Sequence, residues 1–220
     1  MSKSVLIAGG TGLIGTHLIN CLIDNEEYTE IKVLVRRGSN YHNKGVAIIE
    51  VDFDELSNVS RLLEADVVFC CLGTTMKQAG SKEQFYKVDF SYPLDLAKIT
   101  KANGCEQFNI VTASGANAKS IFFYNRVKGE VEDALGILNF KNLNIFRPSL
   151  LLGERNKQRT GEQIGEIVAR ILNPFLIGRL KKIRAIQAKV VAKAMVNMSL
   201  ENHEGIRIIS SDIIQANGQE

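Results

Sequence analysis

No stretch of this sequence approaches the roughly 18 consecutive apolar residues that a membrane-crossing helix requires. The apolar run nearest the start, residues 5–8, is also too short for a signal-peptide core. The expectation is a cytoplasmic protein without a membrane partner. Cysteine is scarce, and Cys21, Cys70, Cys71 and Cys105 have the spacing of neither a zinc site nor a disulfide framework. They read as buried thiols in a reducing compartment. No cluster of histidines and carboxylates has metal-ligand spacing. His17, His42 and His203 read as ordinary helical or surface residues. Only three prolines occur, Pro93, Pro148 and Pro174, and no Gly/Ser-rich linker, repeat or low-complexity segment divides the chain. A net charge of +3 is too small to argue for a nucleic-acid partner. The densest cationic stretch, Lys181-Lys182-Ile183-Arg184, reads as a solvated turn.

What is present is a rhythm. Short apolar runs predict strands over residues 5–8, 31–35, 46–51, 67–72, 108–112 and 143–146, with a seventh at 206–209. Helical periods fall between them. Ile14, Leu18, Cys21 and Leu22 form one apolar stripe, and others cover residues 56–63, 82–102, 124–138, 163–172 and 189–200. Strands separated by helices are too far apart for hairpins, so the pairing is parallel. Continuous apolar runs imply burial on both faces. The fold class is therefore α/β: a doubly wound parallel sheet of the Rossmann kind in a single domain spanning 1–220. Residues from about 150 to 220 are expected to form a small substrate-side extension over the carboxyl ends of the strands.

Gly9, Gly12 and Gly15 fall between the first strand and the first helix. Gly9 permits the tight turn, Gly12 lets a pyrophosphate touch the backbone, and Gly15 brings helix and strand together. The helix N-terminus offers free N–H groups and partial positive charge to that phosphate. Thr11 adds a hydroxyl, while Leu13 and Ile14 supply backbone in the same turn. At the end of the second strand a chain built for NAD would carry an acid. Here stand Arg36 and Arg37, whose guanidinium forks suit a 2′-phosphate. NADP(H) is thus expected over NAD(H). Asp52 and Phe53 are placed to flank the adenine, and Leu72, Gly73 and Thr74 end the fourth strand where backbone approaches the cofactor.

Tyr124 and Lys128 share one helix face. An unperturbed tyrosine titrates near 10, and a nearby ammonium favours its phenolate. Tyr124 is then able to exchange a proton with a carbonyl or carbinol oxygen while hydride moves to or from the cofactor. The fifth strand ends in Thr112-Ala113-Ser114, and either hydroxyl could hold that oxygen, Ser114 being slightly favoured. Glu130 and Glu132 read as a solvated helix face.

The segments "GGTGLIG", "VLVRR", "EVDFDEL", "VVFCCLGTT", "YNRVKGEVE", "FRPSLLLGER" and "RTGE" follow one another in order. With them the chain resembles a short-chain dehydrogenase/reductase of the atypical, NmrA-like kind. It is most similar to the Tat-interacting-protein oxidoreductases and their bacterial relatives. The resemblance covers residues 5–162 and implies Tyr124 and Lys128 as the catalytic pair. It implies cofactor contacts at the glycine turn, Arg36, Arg37, Leu72 and Gly73, adds Leu151 and Arg159, and places Pro148 beside the nicotinamide. It implies an NADPH-dependent oxidoreductase acting on a small molecule. Alternatively it implies an NADP(H)-binding sensor acting through a protein partner; a homodimer is also open. A nucleotide-sugar epimerase shares the fold but needs more chain beyond the sixth strand.

Overall fold

The computed structural model describes residues 2–36, 42–43, 45–153, 184–201 and 203–219. Seven parallel strands make the main sheet: β1 (Lys3–Ala8), β2 (Tyr28–Arg36), β3 (Ala47–Val51), β4 (Val67–Cys70), β5 (Gln107–Val111), β6 (Asn142–Arg147) and β9 (Gly205–Ser210). Their order is β3-β2-β1-β4-β5-β6-β9. Two short strands, β7 (Leu151–Leu152) and β8 (Ile186–Gln187), pair separately in parallel. The winding reverses between β1 and β4, so the crevice at their carboxyl ends is where such a sheet receives ligands.

Strand β1 shows why the apolar runs are continuous. Val5 and Ile7 enter the core on one face, and Leu6 and Ala8 enter the core on the other. The first face is covered by α1 (Leu13–Ile23) and by a helix near the C-terminus, Ala188–Leu200. The second is covered by the 3₁₀ segment Leu56–Leu63, by α4 (Tyr92–Ala102) and by α5 (Phe123–Gly136). Between β4 and α4 lie α2 (Met76–Ala79) and α3 (Lys82–Tyr86).

One expectation changes. The long helix over residues 82–102 is interrupted by a π-turn, Lys87–Ser91, in which the Tyr92 amide donates to the Lys87 carbonyl. Pro93 accounts for it: proline has no N–H for the Asp89 carbonyl, its ring crowds that oxygen, and a wider turn relieves the crowding. Of the C-terminal part expected over the carboxyl ends of the strands, residues 154–183 lie outside the described residues. Helix α6 (Ala188–Leu200) packs beside α1, and β9 lengthens the main sheet beyond β6. Their apolar faces complete layers already begun. The helix expected over residues 163–172 lies outside the described residues.

The ends of the sheet away from the crevice are tied by charge. Asp66, just before β4, accepts from both the Ser4 amide and the Ser4 hydroxyl at 2.7 Å. These bonds hold its carboxyl below the usual carboxylate range. Such a group contributes stability above its unfolded value, about 3.9, and loses it as pH falls through the lower folded value. Solvent screens the site, so Asp66→Ala is expected to cost only about 1 kcal/mol at neutral pH. Urea unfolding is expected to show that difference at pH 7 and to show it shrink at pH 3.

Candidate active site

Backbone geometry forces the glycines into the turn after β1. Gly9 has φ +81°, and a Cβ there would lie 2.5 Å from the Cys71 carbonyl oxygen. A Cβ on Gly15 would lie 2.2 Å from the Gly9 carbonyl oxygen, to which the Gly12 amide donates at 3.0 Å. Gly12 is the N-cap of α1; no side chain caps that end, and its first turn holds no acidic residue. The first amides therefore face outward with the positive end of the helix dipole. Thr11 is exposed beside them, Leu13 is half-buried, and Ile14 is buried in the core, so only its backbone faces the crevice. The turn is a bare backbone cradle, and a Cβ at Gly9 or Gly15 would collide with its backbone.

Around it the other expected contacts are spread unevenly. Arg36 ends β2 and is exposed, whereas Arg37 and Arg159 lie outside the described residues. Asp52 is half-buried and accepts from the Asp54 amide. Phe53 is buried against Tyr92, with ring centroids 5.4 Å apart. Leu72 is half-buried against the core, Gly73 is exposed, and the Thr74 amide is bonded to Asp89 at 2.9 Å. Pro148 is buried, and its carbonyl accepts from the Ser114 amide. Leu151 is half-buried in β7.

Tyr124 and Lys128 do project from one face of α5, but into different surroundings. Tyr124 is 40% exposed and touches the Phe85 ring. The Lys128 side chain is only 6% exposed, and its Nζ lies 2.7 Å from the wholly buried Asp89 carboxylate. Burial alone would lower the Lys128 pKa, but Asp89, Tyr124 and Cys70 together raise it above the ordinary lysine value. A Cβ on Gly73 would sit 3.5 Å from Asp89 Oδ1 and 3.6 Å from Lys128 Nζ. Gly73 thus lies directly beside the buried ion pair.

The two hydroxyls at the end of β5 separate. Ser114 is exposed at the sheet edge. Thr112 is buried and donates its hydroxyl to Glu132 Oε1 at 2.5 Å, which leaves Ser114 as the exposed hydroxyl of the two. Positions two apart need not share an environment once the strand has ended. Glu132 also overturns the expectation of a solvated helix face. It is buried and forms an ion pair with Arg147, whose Nε donates to both carboxylate oxygens at 3.1 Å. Glu130 is half-buried and lies 3.8 Å from Arg126.

Asp89 escaped the sequence reading. Its signal was an acid on the stripe Phe85, Val88, Tyr92, Leu96, where a solvated carboxylate has no reason to stand. Thiol chemistry is disfavoured, because burial pushes the Cys70 and Cys105 thiols up to about 12. Among the described residues no group of three or more His, Cys, Asp or Glu could hold a metal, and no helix is long and apolar enough to cross a membrane.

Residues 5–121 match the model of the family described as NAD dependent epimerase/dehydratase. The chain is 31% identical to Protein HTATIP2 of Rattus norvegicus, over 96% of this chain and 90% of that protein. It is 33% identical to Protein FMP52, mitochondrial, of Candida glabrata, over 93% and 88%. These relatives agree with the Tat-interacting-protein resemblance. Among solved structures, the UDP-glucose 4-epimerase of Thermotoga maritima superposes with a TM-score of 0.70 at 17% identity, over 94% of this chain and 76% of that one. The expected cytoplasmic location is overturned by the fungal relatives: FMP52 of Candida glabrata and further FMP52 proteins are named mitochondrial.

Proposed function

Because this chain belongs to the NAD dependent epimerase/dehydratase family, we propose that it is an NADPH-dependent oxidoreductase acting on a small carbonyl or alcohol. One observation carries the reading: a buried ammonium, Lys128, borders the bare backbone of Gly73 at the switch point next to the glycine turn. The amides opening α1, with Gly9, Thr11, Gly12 and Gly15, hold the diphosphate. Arg36 and Arg37 grip the 2′-phosphate, Asp52 and Phe53 border the adenine, and Leu72, Gly73 and Thr74 border the riboses. Pro148, Leu151 and Arg159 complete the nicotinamide side.

Bound NADPH supplies the hydride. Lys128, fixed by Asp89, bonds the ribose hydroxyls. Ser114 holds the substrate oxygen, and Tyr124 exchanges a proton with it. Ile121 and Phe122, both exposed just before Tyr124, give the mouth an apolar side. That favours a small, weakly polar substrate.

Calorimetry tests the cofactor assignment. The parent is expected to bind NADPH at least about tenfold more tightly than NADH, and Arg36→Ala to lose most of that preference, as a charge-assisted contact implies. No heat from either nucleotide overturns the reading. Heat without NADPH oxidation over a broad carbonyl panel leaves the sensor reading, in which a protein partner takes the place of a substrate.

A further inference from the structure

We propose that Asp89 is a positioning residue that cancels the charge of Lys128 as seen from Tyr124, so that Tyr124 serves as a proton donor and the site is built to reduce a carbonyl. The proposal rests on the reading of Tyr124 and Lys128 given above. A lone ammonium one helical turn from a phenol would favour the phenolate, which is the base that alcohol oxidation needs. Here the ammonium is not alone. The Asp89 carboxylate lies 2.7 Å from it, is wholly buried, and has the Thr74 amide on its other oxygen. Equal and opposite charges that close act on a third group as a dipole, whose field fades faster with distance than that of either charge.

Among the described residues, the groups recorded around Tyr124 and its ion pair are these. On α5 itself there is Lys128; the π-turn presents Asp89, α3 presents the uncharged Phe85 ring, and Cys70 of β4 lies behind Lys128 with its thiol pushed up by burial. Lys82, Glu83, Tyr86, Lys87 and Arg126 line a separate open groove with Phe123, which Tyr124 does not border. In carbonyl reduction the carbon would gain a hydride from the reduced nicotinamide of the proposed cofactor, which would leave oxidised. The π pair moves to oxygen, and that oxygen takes the proton of the Tyr124 hydroxyl. Tyr124, 40% exposed, regains a proton from solvent.

The test uses the full chain with neither cofactor nor substrate, and so is independent of turnover. Tyrosinate absorbance is followed against pH, and subtraction of Tyr124→Phe isolates the Tyr124 step. Tyr28, Tyr86 and Tyr92 are displaced upward by burial, and the subtraction removes their contribution. Relative to the parent, Asp89→Asn is expected to move the step down by about one pH unit or more, and Lys128→Met to move it up. The double variant is expected to return it close to the parent. Coincidence of the Asp89→Asn and parent steps overturns the proposal, as does a double variant that titrates with Lys128→Met. Should circular dichroism show Asp89→Asn unfolded, the double variant, which buries no charge there, is compared with Lys128→Met. A higher step in Lys128→Met supports the cancellation, and equal steps overturn it. NADPH calorimetry on the same variants reports separately on the cofactor reading.

Discussion

Tyr124→Phe is expected to cut NADPH-dependent carbonyl reduction about 10²–10⁴-fold, the usual contribution of a positioned proton donor. The change removes one oxygen from the exposed end of the ring. The ring itself, 5.7 Å between centroids from Phe85, is kept, and so is the Lys128–Asp89 pair beneath it. Binding heat for NADPH and the unfolding midpoint are therefore expected to match the parent. The loss falls on kcat rather than on KM, since the missing interaction is made with charge that develops in the transition state. Activity of the parent's order in this variant would remove Tyr124 from the chemistry and leave the cradle without a proton relay.

The second large effect is on the fold. A Cβ on Gly129 would lie 2.0 Å from the Ala118 amide nitrogen and 2.2 Å from the Asn117 carbonyl carbon. Both atoms are backbone, in a loop tied to the same helix by the Asn117 amide donating to the Asn125 carbonyl at 2.9 Å. Nothing flexible is there to give way. Gly129→Ala is expected to cost about 2–3 kcal/mol, as overpacking of a tight contact does. For a chain of this size that lowers the melting temperature by about 5–10 °C. It also displaces Tyr124 and Lys128 from Gly73, so reductase activity falls even in the folded fraction. Gly136→Ala, on the same helix, is the control. Its Cβ would meet only Ile206 Cδ1 at 3.3 Å, the movable end of a side chain, and a change near zero is expected.

The parts of this architecture visible in the sequence are those with a local code. Strands buried on both faces leave continuous apolar runs, and a turn that needs φ above zero needs Gly9. A four-residue spacing puts Tyr124 and Lys128 on one face whatever the rest of the chain does. The parts that were missed join residues far apart. Asp89 meets Lys128, and Glu132 meets Arg147 and Thr112, only after two crossovers have brought β5, β6, the π-turn and α5 together. No period within one element encodes such a pair. The clue is indirect: a charged residue on an apolar stripe needs a partner. The place of the last described strand is illegible for a related reason. The helix over 189–200 and the strand over 206–209 are visible as periods, yet sequence does not say which open edge of the sheet a late strand will join.

That late strand bears on how the molecule is made. Helix α1, which carries the glycine turn, rests against α6, and β6 finds its outer neighbour only in Gly205–Ser210. While the polypeptide is being synthesised, these apolar surfaces wait bare until residues 188–210 have left the ribosome. The nascent chain therefore passes through a stage with an open strand edge, the kind of intermediate that aggregates or recruits chaperones.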